Sequence, residues 1–359
     1  MPHLDLTRSA LALASFALLL AAPACADDMK TPGETDETSE TGGDESDGGS
    51  DGETDVSESS VGETTGGPGD MTGDLTGDAT EDPTEDPTED PTGSVTEEPP
   101  EPVLPMPTGE CPEIVEGTLT FNPAGVGKPR EARIWIDEDA AAVDDGPVVF
   151  YWHGTGSSTN EAPYGLSNAG VDAFTAAGGM VVAAVADPDA GAFPWYLTIG
   201  QQEDDLLLAD EVLGCLNEQW GVDPRRIHAI GMSAGGLMTT QMSYRRSSYL
   251  ASVATYSGGV GIQGVPDAQD PSNKFAAMIF HGGASDNVII SFQMASETYL
   301  NDLLMNDHFA FICDHGNGHT IPTDAISSVL QFFSKHPFGE VPSPYADGLP
   351  DGFPSYCSL

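Results

Sequence analysis

Residues 228–238 read His228-Ala229-Ile230-Gly231-Met232-Ser233-Ala234-Gly235-Gly236-Leu237-Met238, where an apolar run gives way to helical spacing. Within it, Gly231-Met232-Ser233-Ala234-Gly235 fits the pattern Gly-x-Ser-x-Gly. In that pattern a strand turns sharply into a helix, and the flanking positions are glycine because a Cβ would strike the neighbouring strand or helix. The serine hydroxyl projects into open space, with the helix N-terminus behind it to favour developing negative charge. In a chain with 42 glycines the pattern alone says little, so its surroundings decide. Upstream, Asp223-Pro224-Arg225-Arg226 marks a turn and 227–230 a short buried strand. Downstream, Leu237, Met238, Gln241, Met242 and Arg245 fall at helical spacing and close on the pair Arg245-Arg246. Ser233 is therefore the candidate nucleophile.

A serine hydroxyl needs a base to take its proton and an acid to orient that base. Phe275-Ala276-Ala277-Met278-Ile279-Phe280-His281-Gly282 reads as a strand running into a glycine-rich loop, and Asp286 follows it. Phe309-Ala310-Phe311-Ile312-Cys313 reads as a further strand, leading into Asp314-His315-Gly316-Asn317-Gly318-His319-Thr320-Ile321-Pro322. Asp286 and His319 both lie just past the C-terminal ends of strands, where open α/β sheets build their sites. Asp314 rivals Asp286 as the acid, and His315 rivals His319 as the base. The Gly-His-Thr-Ile-Pro run before a new helix favours His319. His281 and His228 adjoin or lie within strands and read as packing residues.

Residues 147–152 form another apolar strand, entering His153-Gly154-Thr155-Gly156-Ser157-Ser158. A backbone donor from such a loop and one from the residue after the nucleophile would make an oxyanion hole, here the N–H groups of Thr155 and Ala234. Each donor of this kind is worth about 3 kcal/mol of barrier. No Lys-Ser/Thr follows the glycines, which argues against a nucleotide-phosphate loop. His153 is a candidate substrate contact. So are Phe193, Trp195 and Tyr196, because the aromatic run after the strand 179–186 has no core periodicity and is expected on the rim as an apolar platform.

Strand-like runs near 117–121, 131–136, 147–152, 179–186, 226–231, 251–256, 275–281 and 308–313 alternate with helical patterns near 168–177, 203–219, 234–246, 290–305 and 323–335. That alternation implies an α/β fold with a mostly parallel twisted sheet covered by helices on both faces. The stretch from Glu116 to Phe338 resembles the polyhydroxybutyrate depolymerase and feruloyl/acetylxylan esterase group of α/β-hydrolases. The residues carrying the resemblance are Trp152-His153-Gly154, Glu203-Asp204-Asp205, Asp223-Pro224-Arg225-Arg226-Ile227, Gly231-Met232-Ser233-Ala234-Gly235-Gly236, His281-Gly282 with Asp286, and Gly318-His319. It implies a serine esterase acting on extracellular polyesters or on ester-linked groups of plant polysaccharides. Thr155 and Thr320 stand where that group often carries Cys and Trp.

The start of the chain, MPHLDLTRSALALASFALLLAAPAC, reads as a signal peptide over 1–25. Ala22-Pro23-Ala24-Cys25 resembles a bacterial lipobox, making Cys25 a lipidation candidate, with ordinary secretion as the alternative. Export to the cell surface or periplasm, with a membrane contacted through the lipid, follows from the first reading. Residues 26–109 are rich in Asp, Glu, Thr, Gly, Ser and Pro and repeat Thr-Glu-Asp-Pro between Thr80 and Thr92. Such a segment cannot bury enough apolar surface to offset chain entropy, so it is expected to be a disordered tether. Weak calcium binding by its carboxylates is the alternative. The formal net charge is −47, about half of it from this segment, which excludes nucleic acid and anionic polymers as partners.

Residues 110–359 are long enough for one hydrolase domain, expected as a monomer needing no cofactor and no metal. Besides Cys25 there are Cys111, Cys215, Cys313 and Cys357, which allow three pairings. Cys111–Cys357, tying the domain ends together, is preferred, with Cys215–Cys313 beside it. Besides the esterase, two readings remain: a non-catalytic surface adhesion module keeping the hydrolase fold, and a serine peptidase. A degenerate module should have lost a triad member, and none is lost. A peptidase of the prolyl-oligopeptidase kind needs a gating domain that the tether cannot supply.

Overall fold

A computed structural model describes residues 100–198, 203–262, 264 and 269–359. The signal segment, Cys25 and the linker up to residue 99 lie outside the described residues.

The strands are β1 (Gly117–Phe121), β2 (Arg130–Ile136), β3 (Val148–Trp152), β4 (Met180–Ala184), β5 (Ile227–Met232), β6 (Ser252–Tyr256), β7 (Ala276–His281), β8 (Asn287–Val288), β9 (Ile290–Ser291), β10 (Phe309–Asp314) and β11 (Cys357–Ser358). The helices are α1 (Glu138–Ala141), α2 (Ala162–Gly165), α3 (Asn168–Ala176), α4 (Asp204–Gln219), α5 (Ala234–Arg245), α6 (Phe292–Met305) and α7 (Ile326–Lys335). Nine strands form one sheet in the order β1-β2-β4-β3-β5-β6-β7-β10-β11. From β4 to β10 neighbouring strands are parallel; β1, β2 and β11 join antiparallel at the two edges. β8 and β9 form a separate hairpin.

The sequence explains which strands are central. β3, β4, β5, β6 and β7 are buried at every residue, as continuous apolar runs between two helical layers must be. β2 alternates buried with exposed or half-exposed residues, as suits a strand near an edge. Alternate residues of one strand feed two cores. Val148, Phe150 and Trp152 join Leu213 of α4, Leu237 of α5 and Tyr299 of α6 on one face. Val149 and Tyr151 join Phe174 of α3 and Phe332 of α7 on the other. This is the α/β-hydrolase arrangement, and it sets the strand ends β3, β5, β6, β7 and β10 side by side.

Both ends of the folded part are fastened, and the cysteines take part. Along α4, Glu211 accepts from the N–H groups of Thr108 (2.7 Å) and Gly109 (2.8 Å), and Gln219 accepts from Ile114 N–H (2.9 Å). This strap runs through residues up to 109 that the sequence assigned to the linker. It carries Cys111 onto α4, where it bonds Cys215. At the other end, β11 returns antiparallel to β10 and sets Cys357 opposite Cys313, and these two bond. The expected pairs Cys111–Cys357 and Cys215–Cys313 are therefore corrected to Cys111–Cys215 and Cys313–Cys357. Each end of the described domain is stapled to the element beside it.

Peptide mapping under non-reducing conditions should return the pairs 111–215 and 313–357 and no crossed peptide. Replacing Cys111 and Cys215 together by Ser should cost about 3–5 kcal/mol, read by urea denaturation, since the bond closes a loop of 104 residues.

Candidate active site

Ser233 is the single residue between β5 and α5, with φ 58° and ψ −118°. L-residues avoid that region, so the surroundings must hold it. Its N–H donates to Tyr256 O, and its carbonyl accepts from Leu237 N–H, both at 2.9 Å. A Cβ on Gly235 would lie 1.8 Å from Trp152 O, and one on Gly231 would lie 2.5 Å from both Trp152 O and Gly235 O. Only glycine fits at either position, because α5 starts directly against the end of β3.

The Ser233 hydroxyl lies 2.9 Å from His319 Nε2, and Nδ1 of the same ring lies 2.7 Å from Asp286 Oδ1. A carboxylate at Nδ1 places the proton there and leaves Nε2 to accept from the serine. Asp286 sits past β7 and is fully buried. Its Oδ2 accepts from Ser257 Oγ (2.8 Å) and from Gly282 N–H (2.9 Å). Burial alone would push this carboxyl up, but the bonds from His319, Gly282 and Ser257 outweigh it and hold the pKa below the ordinary carboxylate value. Phe292, at the start of α6, lays its ring beside the imidazole, centroids 4.7 Å apart.

The rival residues fall elsewhere. Asp314 is exposed and binds Gly316 N–H, and the buried His315 donates its own N–H to His281 O. Burial lowers the pKa of His315.

The loop after β3 passes directly beside the serine: a Cβ on Gly154 would sit 3.4 Å from Ser233 Cβ. The N–H groups of Thr155 and Ala234 have no acceptor among the described residues, and that of Ala234 opens α5 at its positive end. A helix-opening N–H directly after a serine, as at Ala234, is the kind of donor that can bind an oxyanion.

The expected aromatic platform is not on the rim. Trp195 is fully buried, edge-on to Trp152 with centroids 5.0 Å apart, and its Nε1 donates to His153 O at 2.9 Å. His153 is buried as well; its ring packs on Trp195, its Nδ1 meets Gly154 O, and burial lowers its pKa. Phe193 packs half-buried against the core, and Tyr196 points its hydroxyl at Asp187. The cause is an ion network under the loop. Arg130 reaches Asp187 (3.2 Å) and Asp205 (2.7 Å), Lys128 reaches Asp187 and Asp189 (2.6 Å each), and Asp205 accepts from Tyr196 N–H (2.7 Å). Charges buried this way must be paired, so the loop is drawn inward and its aromatics with it. Trp195 and His153 thus pack together behind the loop after β3, while Phe193 and Tyr196 stay half-buried beside the network.

The cleft reached by His319 and Met232, the neighbours of Ser233, has a different lining, including Ser157, Ser158, Glu161, Tyr164, Thr320 and Ile321. Sequence reasoning missed Ser257, Glu161 and Tyr164. Ser257 had a signal, since it follows β6 as the other site residues follow their strands; Glu161 and Tyr164 had none. No group of His, Cys, Asp and Glu among the described residues could hold a metal ion.

Known proteins agree with this architecture. Residues 209–337 match the family model described as phospholipase/carboxylesterase. A protein of Nocardia uniformis subsp. tsuyamanensis bearing the name "Putative esterase NocK" is 27% identical over 174 residues, 45% of this chain and 50% of that protein. The chain thus spans about half the length of the curated relative it matches. The solved structure of native pOPH superposes with a TM-score of 0.56 at 18% identity, over 69% of this chain and 96% of that one. Native sOPH gives 0.55 at 20%, over 71% and 96%. At such identities the two structures speak for the fold alone. The chain has the α/β-hydrolase fold, and residues 209–337 are similar to the phospholipase/carboxylesterase family.

Ser233→Ala should abolish turnover, by about 10⁴-fold or more, together with labelling by a fluorophosphonate, while leaving the unfolding midpoint unchanged. Asp286→Asn should fold but present the wrong tautomer and lose about three to four orders of magnitude in kcat. Trp195→Ala should behave as a core mutation, losing about 3–5 kcal/mol of stability by urea denaturation. A raised KM on bulky esters with unchanged stability would instead return Trp195 to the substrate.

Proposed function

We propose that the protein is an exported serine carboxylic-ester hydrolase working through an acyl-enzyme. The observation that carries the proposal is the pair of contacts linking Asp286, His319 and Ser233, at 2.7 and 2.9 Å. In this reading His319 takes the Ser233 proton as Oγ adds to the ester carbonyl. The oxyanion is received by the N–H groups of Thr155 and Ala234. His319 then protonates the departing alcohol, and water repeats the sequence to release the acid. Asp286 stays ionised and keeps the imidazole oriented, which its depressed pKa favours.

Polyhydroxyalkanoate-type polyesters and feruloyl or acetyl esters of polysaccharides are the proposed substrates, on the strength of the sequence motifs. An exposed Tyr164 beside the cleft suits a bulky or polymeric chain. Export fits the signal-like start and two disulfides, which persist in oxidising compartments. No helix among the described residues is long and apolar enough to cross a membrane. Attachment through a lipid on Cys25, with residues 26–109 as tether, its last two residues held on α4, and 110–359 as a monomeric catalytic domain, belongs to the same proposal.

The purified protein should hydrolyse p-nitrophenyl butyrate with a burst equal to the concentration of active sites. Polyhydroxybutyrate, feruloylated xylan and acetylxylan assayed side by side should yield soluble product from at least one. A folded protein with neither burst nor turnover would mean a binding module that kept the fold.

A further inference from the structure

One wall of the cleft carries a charge that ester hydrolysis does not require. Glu161 closes the short turn Thr159–Glu161, just before α2. Its Oε1 accepts from Gly154 N–H (3.1 Å) and from the Tyr151 hydroxyl (3.2 Å), bracing the loop after β3. Its Oε2 has no hydrogen-bond or ion-pair partner among the described residues. That oxygen lies 3.6 Å from the point a Cβ on Gly154 would occupy, and Ser233 Cβ lies 3.4 Å from the same point. A free carboxylate oxygen and the serine therefore face one small space. Tyr164, three residues further on and 59% exposed, lines the same cleft, as do Met232 and Ile321. No Lys or Arg is among the described residues lining it.

A carboxylate here opposes negative charge forming on the carbonyl oxygen, so for a neutral ester it is a handicap. A positive group on the substrate reverses the sign: it is drawn to Oε2 and can lie on the face of Tyr164. The overall charge of −47 concentrates cations around the molecule and repels anions, in the same sense. We propose that the site selects esters bearing a cationic group and disfavours anionic ones, with Glu161 as the residue that determines this selectivity. The proposal rests on the esterase reading and adds to it a class of substrate.

The test compares isosteric pairs on the full-length protein. Acetylcholine against 3,3-dimethylbutyl acetate places the charge on the alcohol side. The p-nitrophenyl ester of 4-(trimethylammonio)butyrate against that of 5,5-dimethylhexanoate places it on the acyl side. In at least one pair, kcat/KM should favour the cation by about tenfold. Glu161→Gln retains an acceptor for Gly154 N–H and Tyr151 but removes the charge, and should bring the ratio to about one. The ratio is the readout, so a change in absolute rate from the braced loop does not affect it, and the unfolding midpoint confirms folding. Ratios near one for both pairs in the wild type, or a preference that survives Glu161→Gln, overturn the proposal while leaving the esterase intact. Failure to hydrolyse any ester, neutral ones included, overturns the esterase reading and this inference with it.

Discussion

The closest approach in the molecule that matters for chemistry is that of the α5 N-terminus to the end of β3. With any side chain at Gly235 or Gly231 the helix could not start where it does, because the Trp152 carbonyl already occupies that space. Ser233 takes its unfavourable backbone angles from this contact: the chain must reverse within one residue to leave β5 and enter a helix pressed against β3. The same contact brings Gly154, two residues past Trp152, against Ser233 Cβ, so the serine and the loop after β3 are positioned together. Strain at one residue is sustained because eleven of the twelve residues of α5 are buried behind it.

The loop after β3 is itself held from two sides. Behind it, the His153 carbonyl accepts from Trp195, which is fixed by a loop tied down through Arg130, Asp187 and Asp205. In front, Gly154 N–H donates to Glu161. The network behind is costly in isolation. Burial pushes the Asp205 carboxyl up, against the pull of Arg130 and Tyr196 N–H, and loss of one partner would leave a charge stranded. Its usefulness lies in geometry, since ion pairs with few allowed arrangements fix a loop that has no helix or strand to stiffen it.

The sheet and its major helices were legible because long apolar runs and helical spacing survive in single segments. The elements missed, α1, α2, β8, β9 and β11, have two to four residues each, too few to show a period. Ser233, Asp286 and His319 were legible for another reason: each lies just past a strand, and parallel strands deliver such positions to one edge. What failed were inferences about partners distant in sequence. An aperiodic aromatic run reads as exposed, yet Trp195 is buried because Arg130, Asp187 and Asp205 meet, which no local pattern records. The cysteine pairing failed likewise, since only the return of β11 onto β10 sets Cys357 opposite Cys313.

That return bears on His319, whose loop follows β10. His319 sits five residues beyond the end of β10, in a stretch with glycine at 316 and 318, both at positive φ. Such a stretch has much conformational freedom to lose, and a side chain held within hydrogen-bond distance of two partners cannot retain it. Three anchors remove it: the Cys313–Cys357 bond at the strand end, Gly318 N–H donating to Gly282 O (3.0 Å), and Asp286 gripping the ring. Gly282 N–H in turn donates to Asp286, so the support of Asp286 and the loop of His319 meet at one residue. A Cβ on Gly282 would lie 1.9 Å from Gly318 O, so this junction, like the one at Gly235, exists only because no side chain intervenes. The two halves of the cluster, Ser233 on one side and Asp286 with His319 on the other, thus rest on the same physical device, backbone brought against backbone through glycine.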